Sequence, residues 1–172
     1  QCQAPRSGEF RGVWDHDGTG WWPGDWDRSC RLLADSGMTA ILPNLMWAGL
    51  AHYPSRIVAG SDTLRRYGDQ AAQCLKAARA HGLQMHVWKV CWNVEQAPDA
   101  WVADLRKQGR LLKGASGQAL NWLDPAQAAN VELELSTLRE LASNYAVDGI
   151  HLDYIRYPAG LPKGTIKPSA IT

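Results

Sequence analysis

Asp153 is the residue whose type and setting in this chain best suit proton chemistry. It lies in a short apolar segment, and in a strand Ile150 and Leu152 would occupy the face opposite to its own. His151 would share its face. A carboxylate buried in apolar surroundings is costly, so it is either neutralised, with His151 and Arg156 as nearby partners, or tuned for proton transfer. The residues alone leave both interpretations open.

Polar and aromatic residues also end three earlier apolar segments. In parallel α/β folds the ligand site lies beyond the carboxyl ends of the strands, so we expect these side chains to converge on Asp153. The predicted substrate-binding residues are Trp14, Asp15, Asn44, Trp47, His86, Trp88, Trp92, Asn93, His151, Arg156 and Tyr157. Among them, the flat rings on which a sugar would stack are Trp14, Trp47, Trp88 and Trp92.

The elements that must position these side chains alternate along the chain. Apolar runs predict strands at 9–14, 39–47, 83–92 and 149–157. Helical spacing and end signals predict helices at 25–36 and 62–81, a third that starts at Pro98, and a fourth that starts at Asp124-Pro125. This alternation predicts a parallel sheet with right-handed crossovers, either doubly wound or closed as a barrel. No glycine-rich phosphate motif follows a strand, which disfavours nucleotide binding.

Length and charge narrow the classes of function. The chain has 172 residues, fewer than the roughly 250 of a complete (β/α)8 barrel, so we treat 1–172 as one partial domain. With 18 basic and 17 acidic residues, the chain has almost no net charge, and we expect no electrostatic attraction to nucleic acid or to an anionic membrane. No apolar run is long enough to predict a membrane span. The start at Gln1 indicates a processed or trimmed terminus.

Tryptophan and cysteine usage add two expectations. Nine tryptophans against one phenylalanine favour a surface on which sugars stack, although core packing accounts for some of them. Four cysteines, at positions 2, 30, 74 and 91, show no metal-binding spacing, and neither a metal nor a cofactor is predicted. Cys30 and Cys74 fall on predicted neighbouring helices. We therefore expect these two to approach each other, as a disulfide or as free buried thiols.

Five segments together resemble one known family. VDGIHLDYIRYP at 147–158, preceded by WLDPAQ at 122–127, resembles the glycoside hydrolase-like barrels once called DUF187 and now the family 10-like glycosyl hydrolases. EFRGVW at 9–14, HYPS at 52–55 and GLQMHVW at 82–88 match in the expected order. The resemblance runs from the first to the fourth strand and covers nearly the whole chain.

The resemblance implies an α/β fold of the (β/α)8 TIM-barrel type, of which about the first four β/α units are present. It implies cleavage of glycosidic bonds in an extracellular or cell-wall polysaccharide by a secreted, periplasmic or cell-surface protein. Asp153 would be the leading catalytic carboxylate. Many relatives carry a second acid beside it, where this chain has Tyr154. In many barrel glycosidases the second carboxylate comes instead from a later strand.

Two other functions stay open. One is a carbohydrate-binding barrel without a competent carboxylate pair, which in glycosidases lies about 5 to 5.5 Å or 6.5 to 9.5 Å apart. Glu95 within those distances of Asp153 would supply the pair. The other is a metal-dependent deacetylase with His86, His151 and Asp153 as ligands. In each case the first and fourth strands would be open edges, which we expect a second chain or a further segment to cover.

Overall fold

The computed structural model describes residues 8–158, so Cys2 and the loop expected from Ala159 onward lie outside the described residues. The strands are β1 (Gly12–Asp15), β2 (Ala40–Trp47), β3 (Leu50–Ala51), β4 (Ala59–Gly60), β5 (Gln84–Val90), β6 (Leu111–Lys113), β7 (Ala119–Leu123) and β8 (Gly149–Asp153). The helices are α1 (Trp26–Asp35), α2 (Asp62–Tyr67), α3 (Gln70–Ala80), α4 (Asp99–Lys107) and α5 (Ala128–Asn144). None of the described helices is both long and apolar enough to cross a membrane.

The main sheet contains β1, β2, β5 and β8, paired in parallel and in chain order. The predicted parallel sheet is confirmed. A doubly wound sheet needs a reversal of strand order, and the described strands show none. The short strands β3 and β4 extend the sheet at the carboxyl end of β2. Within residues 8–158, β8 pairs only with β5 and β1 only with β2, so the sheet has open edges.

The sheet is curved, with one concave face. Neighbouring strands lie about 4.8 Å apart, so the outer strands of a flat sheet of four would lie about 14 Å apart. The rings of Trp14 on β1 and His151 on β8 nevertheless have centroids 5.8 Å apart. These side chains meet over β2 and β5 only if both lean into a concave face. Such curvature is what a sector of a barrel requires.

The convex face of the sheet carries the main hydrophobic core. Ile41, Met85 and Val87 point from the strands toward α1 and α3, and each is fully buried. Ile150 packs against the same core, as predicted for β8. Leu152 was expected there too but is 38% exposed, because no described element covers the outer edge of β8.

Cys30 on α1 and Cys74 on α3 lie inside this core. Both are fully buried with free thiols, and the thiols lie close enough to shift each other's pKa, so the predicted approach is confirmed. The contact with Cys74 lowers the pKa of the Cys30 thiol, whereas burial raises the pKa of the Cys74 thiol. The pair ties the two helices that flank β2.

The predicted helix at 62–81 is two helices. Gly68 has a φ of 78°, which ends α2, and the Asp69 carboxylate accepts a hydrogen bond from the backbone N–H of Ala72 to begin α3. The single helix was wrong because glycine and an aspartate cap within one apolar pattern act as a stop and a new start.

The Asp124-Pro125 start for the fourth predicted helix was also wrong. The Asp124 carboxylate accepts from the backbone N–H of Ala126 in a turn, and α5 begins only at Ala128. The other predicted bounds agree more closely, although β1 begins at Gly12 and β8 ends at Asp153.

A hairpin that the sequence analysis missed follows α4. β6 and β7 pair antiparallel around the glycine-rich turn at 114–117. With α4, the hairpin forms a second apolar cluster that includes Val102, Leu105 and Leu123. Its strands are short and do not alternate apolar and polar residues, so their pattern carries little strand signal.

A buried ion pair joins β5 to α5. Lys89 lies on the same face of β5 as Val87, and its Nζ contacts Glu134 Oε2 with side chains only 4% and 12% exposed. Glu134 Oε1 accepts in addition from the backbone N–H of Trp92 at 3.0 Å. One carboxylate therefore anchors α5 to the carboxyl end of β5.

We predict that Glu134→Ala lowers the free energy of unfolding by about 3 to 5 kcal/mol, because it leaves the Lys89 ammonium buried and unpaired. Urea denaturation monitored by circular dichroism measures the loss. Glu132→Ala on the same helix is the matched control, since the Glu132–Arg139 pair is exposed and should contribute little. The double variant Lys89→Met/Glu134→Leu should recover much of the stability. Equal losses for Glu134→Ala and Glu132→Ala would contradict the assignment.

Candidate functional site

Asp153 ends β8 on the concave face of the sheet. The indole Nε1 of Trp88 donates to its Oδ2 at 3.2 Å, and the backbone N–H of Tyr154 donates to its Oδ1 at 2.7 Å. The ion-pair partners expected from the sequence, His151 and Arg156, contact aromatic rings instead. Two N–H groups therefore orient this carboxylate. One is the indole of Trp88 on the neighbouring strand, and the other is the backbone N–H of the next residue, Tyr154.

A row of aromatic and polar side chains crosses the concave face. The parallel register pairs Asn44 with Trp88, and Trp88 with His151. The Trp88 ring meets His151 with centroids 6.3 Å apart, and His16 from the loop after β1 at 4.6 Å. Trp14 lies at the end of the row, where its ring contacts His151, and it is 51% exposed. Asn44, Trp88, His151 and Trp14 are thus brought together as predicted for one site.

Tyr154 forms an aromatic stack beside Asp153. Its ring stacks on Trp122 of β7 at 5.7 Å with an interplanar angle of 16°, and meets Trp47 edge-on at 6.0 Å. The Arg156 guanidinium lies 4.3 Å from the centre of the Tyr154 ring. Tyr154 has a φ of 57°, a conformation that costs a non-glycine residue about 1 kcal/mol or more. The ring contacts offset that cost and keep the N–H of Tyr154 on the carboxylate.

Sequence reasoning had noted Tyr154 only as a departure from a pair of acids, and it had overlooked Trp122. The two meet because the hairpin folds back onto the end of β5, a contact between residues distant along the chain. The WLDPAQ segment was the available signal, since it begins at Trp122 and had already been matched to the family.

Trp92 and Asn93 dock the hairpin rather than face the open site. Trp92 has a φ of 65°, and its carbonyl accepts from the backbone N–H of Leu123 at 2.7 Å. Asn93 is 8% exposed, its Oδ1 accepts from the backbone N–H of Glu95, and its backbone bridges to Trp122. The described contacts give both residues a scaffolding role in place of the predicted contact with substrate.

Asp15 and His86 also differ from expectation. Asp15 is 7% exposed and its Oδ2 accepts from the backbone N–H of Gly20, so its carboxylate folds the loop after β1. Burial raises the pKa of Asp15 and backbone hydrogen bonds oppose that rise. His86 pairs with Gly149 at the start of β8 and its ring meets Phe10 at 5.3 Å, toward the amino ends of the strands. Neither side chain points to a ligand at the carboxyl edge.

Beyond the end of β8 the chain is open to solvent. Tyr157 is 44% exposed, and its carbonyl accepts from the Arg156 guanidinium at 3.3 Å. Both residues are exposed beyond the end of β8, and their predicted contact with substrate stays a prediction. Glu95, considered as an acid partner for Asp153, is exposed in the turn after β5.

His52 follows β3 and lies next to the row of site residues. Its Nδ1 lies 2.6 Å from Ser61 Oγ, and burial lowers its pKa to about 4. Asn44, close by, is 4% exposed, and its Oδ1 has no hydrogen-bond donor among the described residues. This end of β2 thus combines a neutral imidazole with a buried, unsatisfied acceptor.

Known proteins agree with this architecture at the level of the fold. No protein-family model matches the chain, and no curated protein sequence does, so the resemblance to the family 10-like glycosyl hydrolases stays a prediction. A hypothetical protein from Ruminiclostridium thermocellum ATCC 27405 superposes with a TM-score of 0.60 and 18% identity, over 85% of this chain and 77% of that chain.

Two glycosidases superpose as well. Alpha-L-fucosidase isoenzyme 2 from Paenibacillus thiaminolyticus gives a TM-score of 0.62 at 18% identity, over 87% of this chain and 24% of that one. A glycoside hydrolase 29 family member from an unknown rumen bacterium gives 0.54 at 17% identity, over 86% of this chain and 26% of that one. Over the superposed part, the chain shares the fold of these two glycosidases. It spans about a quarter of each glycosidase, and at these identities the likeness establishes the fold alone.

We predict that His52 makes the protein less stable in mild acid. Unfolded histidine titrates near ~6.5, so between that pH and about 4 the unfolded state binds a proton that folded His52 does not bind. The free energy of unfolding should therefore fall by about 3 kcal/mol as the pH drops through this window. Urea denaturation at several pH values should show a shallower fall for His52→Gln than for the parent protein. Parallel curves would contradict the prediction.

Proposed function

We propose that this chain is the amino-terminal half of a (β/α)8 barrel that hydrolyses glycosidic bonds of an extracellular or cell-wall polysaccharide. The observation that carries the proposal is Asp153, a carboxylate at the carboxyl end of the fourth parallel strand, oriented by Trp88 and Tyr154. Ligand sites of parallel α/β barrels lie at this edge. The glycoside hydrolase-like fold supports the same reaction class.

A catalytic carboxylate of a glycosidase acts as a general acid or as a nucleophile, and for Asp153 the geometry favours the nucleophile. Each of its oxygens accepts a hydrogen bond from a fixed N–H donor, which suits a carboxylate that attacks or stabilises the developing positive charge. A proton donor needs to aim its hydrogen at the leaving oxygen. In a retaining mechanism Asp153 would bond to the anomeric carbon, and a second acid would protonate the leaving group and then activate water.

Two tryptophans are the sugar platforms in this proposal. Trp14 is 51% exposed on the concave face, and Trp47 is partly exposed beside Tyr154. Flat, half-open indole faces stack on the apolar face of a pyranose ring. Trp88 is 7% exposed and orients Asp153, so we assign it to the carboxylate rather than to stacking.

The second acid and the rest of the barrel would come from four further strands, in a following segment or a second chain. Large apolar side chains are exposed on α5, on β8 and just after β8. They are Val131, Leu135, Leu152 and Ile155, between 38% and 61% exposed. An apolar surface next to an open parallel edge needs a cover in solution. We further propose a location outside the cytoplasm, where such polysaccharides occur.

A carbohydrate-binding barrel is the second candidate, because Tyr154 stands where many relatives have an acid. This protein would keep the platforms and lose hydrolysis. The deacetylase alternative has less support. His86 lies toward the opposite end of the strands from Asp153, and the described residues contain no cluster of three or more acidic, histidine or cysteine side chains that could hold a metal.

We predict that Asp153→Asn in the full-length protein lowers kcat at least about a thousandfold, with ligand binding and folding preserved. Asparagine keeps the shape of the side chain and loses its nucleophilic charge. Hydrolysis of chromogenic glycosides, with an α-L-fucoside included, and of cell-wall polysaccharides measures activity, and thermal unfolding measures stability.

Asp148→Asn is the matched control on the same strand segment, because Asp148 Oδ2 accepts from the backbone N–H of Met85 at the opposite end of the sheet. It should lower the melting temperature and keep kcat. Asp153→Gly with added azide tests the role directly, since azide in the vacated space should restore turnover and yield a glycosyl azide of inverted configuration. Full cleavage by Asp153→Asn would overturn the catalytic assignment, and ligand binding without any cleavage by the parent protein would favour the binding barrel.

A further inference from the structure

A small pocket opens between the loops that follow β1 and β2. Its volume is about 300 Å³, near the lower end of the range for ligand pockets, which suits a ligand of one ring. The side chains that line it are His16, Asp17, Asn44, Trp47 and His52. We call it the β1–β2 pocket. Of these residues, the function proposed above uses only Trp47, as a sugar platform.

At Gly18 the wall of the pocket is packed too closely for any side chain. It has a φ of 62°, and a Cβ placed there would lie 2.1 Å from the backbone oxygen of Asn44 and 2.8 Å from His52 Cδ2. Any side chain would push the loop away from both residues. The loop that carries His16 and Asp17 is therefore held directly against the end of β2.

The polar groups of the pocket suit hydroxyl groups. Asn44 Oδ1 is buried without a described donor, and since the terminal torsion of asparagine is soft, a small rotation can bring the oxygen to a ligand. A buried acceptor left unsatisfied destabilises the protein, and a ligand hydroxyl would relieve that cost. Asp17, which is exposed, offers two further acceptor oxygens.

His52 supplies a donor. Ser61 Oγ accepts from the backbone N–H of Leu64, so its own hydrogen is free to donate to His52 Nδ1. The proton of the neutral imidazole then lies on Nε2, which becomes the free donor of the ring. Burial keeps the ring neutral above its lowered pKa of about 4.

We propose that the β1–β2 pocket is a subsite for one neutral pyranose ring, which stacks on Trp47 and shares its hydroxyls among Asn44, His52 and Asp17. Among the described residues no lysine or arginine lines the pocket, while Asp17 adds a carboxylate. A uronic acid would therefore bring a second negative charge without a counter-ion. The subsite selects neutral sugars over acidic ones.

The pocket borders the candidate site through two aromatic contacts. His16 lies against the Trp88 ring, whose indole N–H binds Asp153. Trp47 meets Tyr154, the residue that follows Asp153. A sugar in the pocket would thus be separated from the carboxylate by the Trp88 and Tyr154 rings, at a neighbouring position along a glycan. This inference deepens the proposed function and rests on it for the identity of the ligand class.

The test measures binding without cleavage, in full-length Asp153→Asn protein at neutral pH. Saturation-transfer NMR with D-galactose, L-fucose and D-glucose as neutral probes, and D-galacturonate and D-glucuronate as acidic ones, gives affinities. At least one neutral sugar should bind about tenfold more tightly than either uronate. Asn44→Leu and Asp17→Ala should each weaken it by about tenfold, and Asn144→Leu, an exposed site on α5, should not.

Asp17→Ala keeps the test decisive if Asn44→Leu fails to fold, because Asp17 itself is exposed. The proposal is overturned if no neutral sugar shows saturation transfer, if the uronates bind as well or better, or if Asp17→Ala leaves binding unchanged. Cleavage by the parent protein together with any of these results would refute the subsite and leave the proposed function intact. Binding as expected, without cleavage by the parent protein, would refute the hydrolase and leave the subsite.

Discussion

The parallel register of neighbouring strands is the constraint on which the candidate site depends. It sets Asn44 beside Trp88 and Trp88 beside His151, on one face of the sheet. Because side chains alternate, a slip of one residue in β8 would turn Asp153 into the helix layer and Leu152 toward the site. The curl of the sheet adds the second condition, since it brings Trp14 over the intervening strands to His151.

The hairpin of β6 and β7 supports the candidate site, because its Trp122 stacks on Tyr154. It is docked through the turn after β5, where Glu134 binds the backbone of Trp92, and it presents Trp122 to the ring of Tyr154. The strained backbone of Tyr154 then directs an N–H at Asp153. A helix on the convex side is in this way linked to the orientation of a carboxylate on the concave side.

Much of this arrangement could be predicted from the sequence. Alternation along β8 was enough to place His151 and Asp153 on one face, and the alternation of strands and helices was enough for the parallel order. The alternation of apolar and polar residues predicts the face of the sheet on which a side chain lies. It does not predict the side chain's position along the strand, which is why His86 was expected at the wrong end of β5. The stack at Tyr154 depends on a distant contact with Trp122, and no local pattern encodes such a contact.

The described residues form two apolar clusters, and the smaller one has its own consequence. The larger lies between the sheet and helices α1 and α3, whereas Leu105 and Leu123 belong to the cluster of α4 and the hairpin. Segments with a small core open at lower free energy than the main core. The amide protons of β6 and β7 should therefore exchange with solvent in a cooperative step of their own. In that open state Tyr154 would lose its stacking partner while the parallel sheet stays folded.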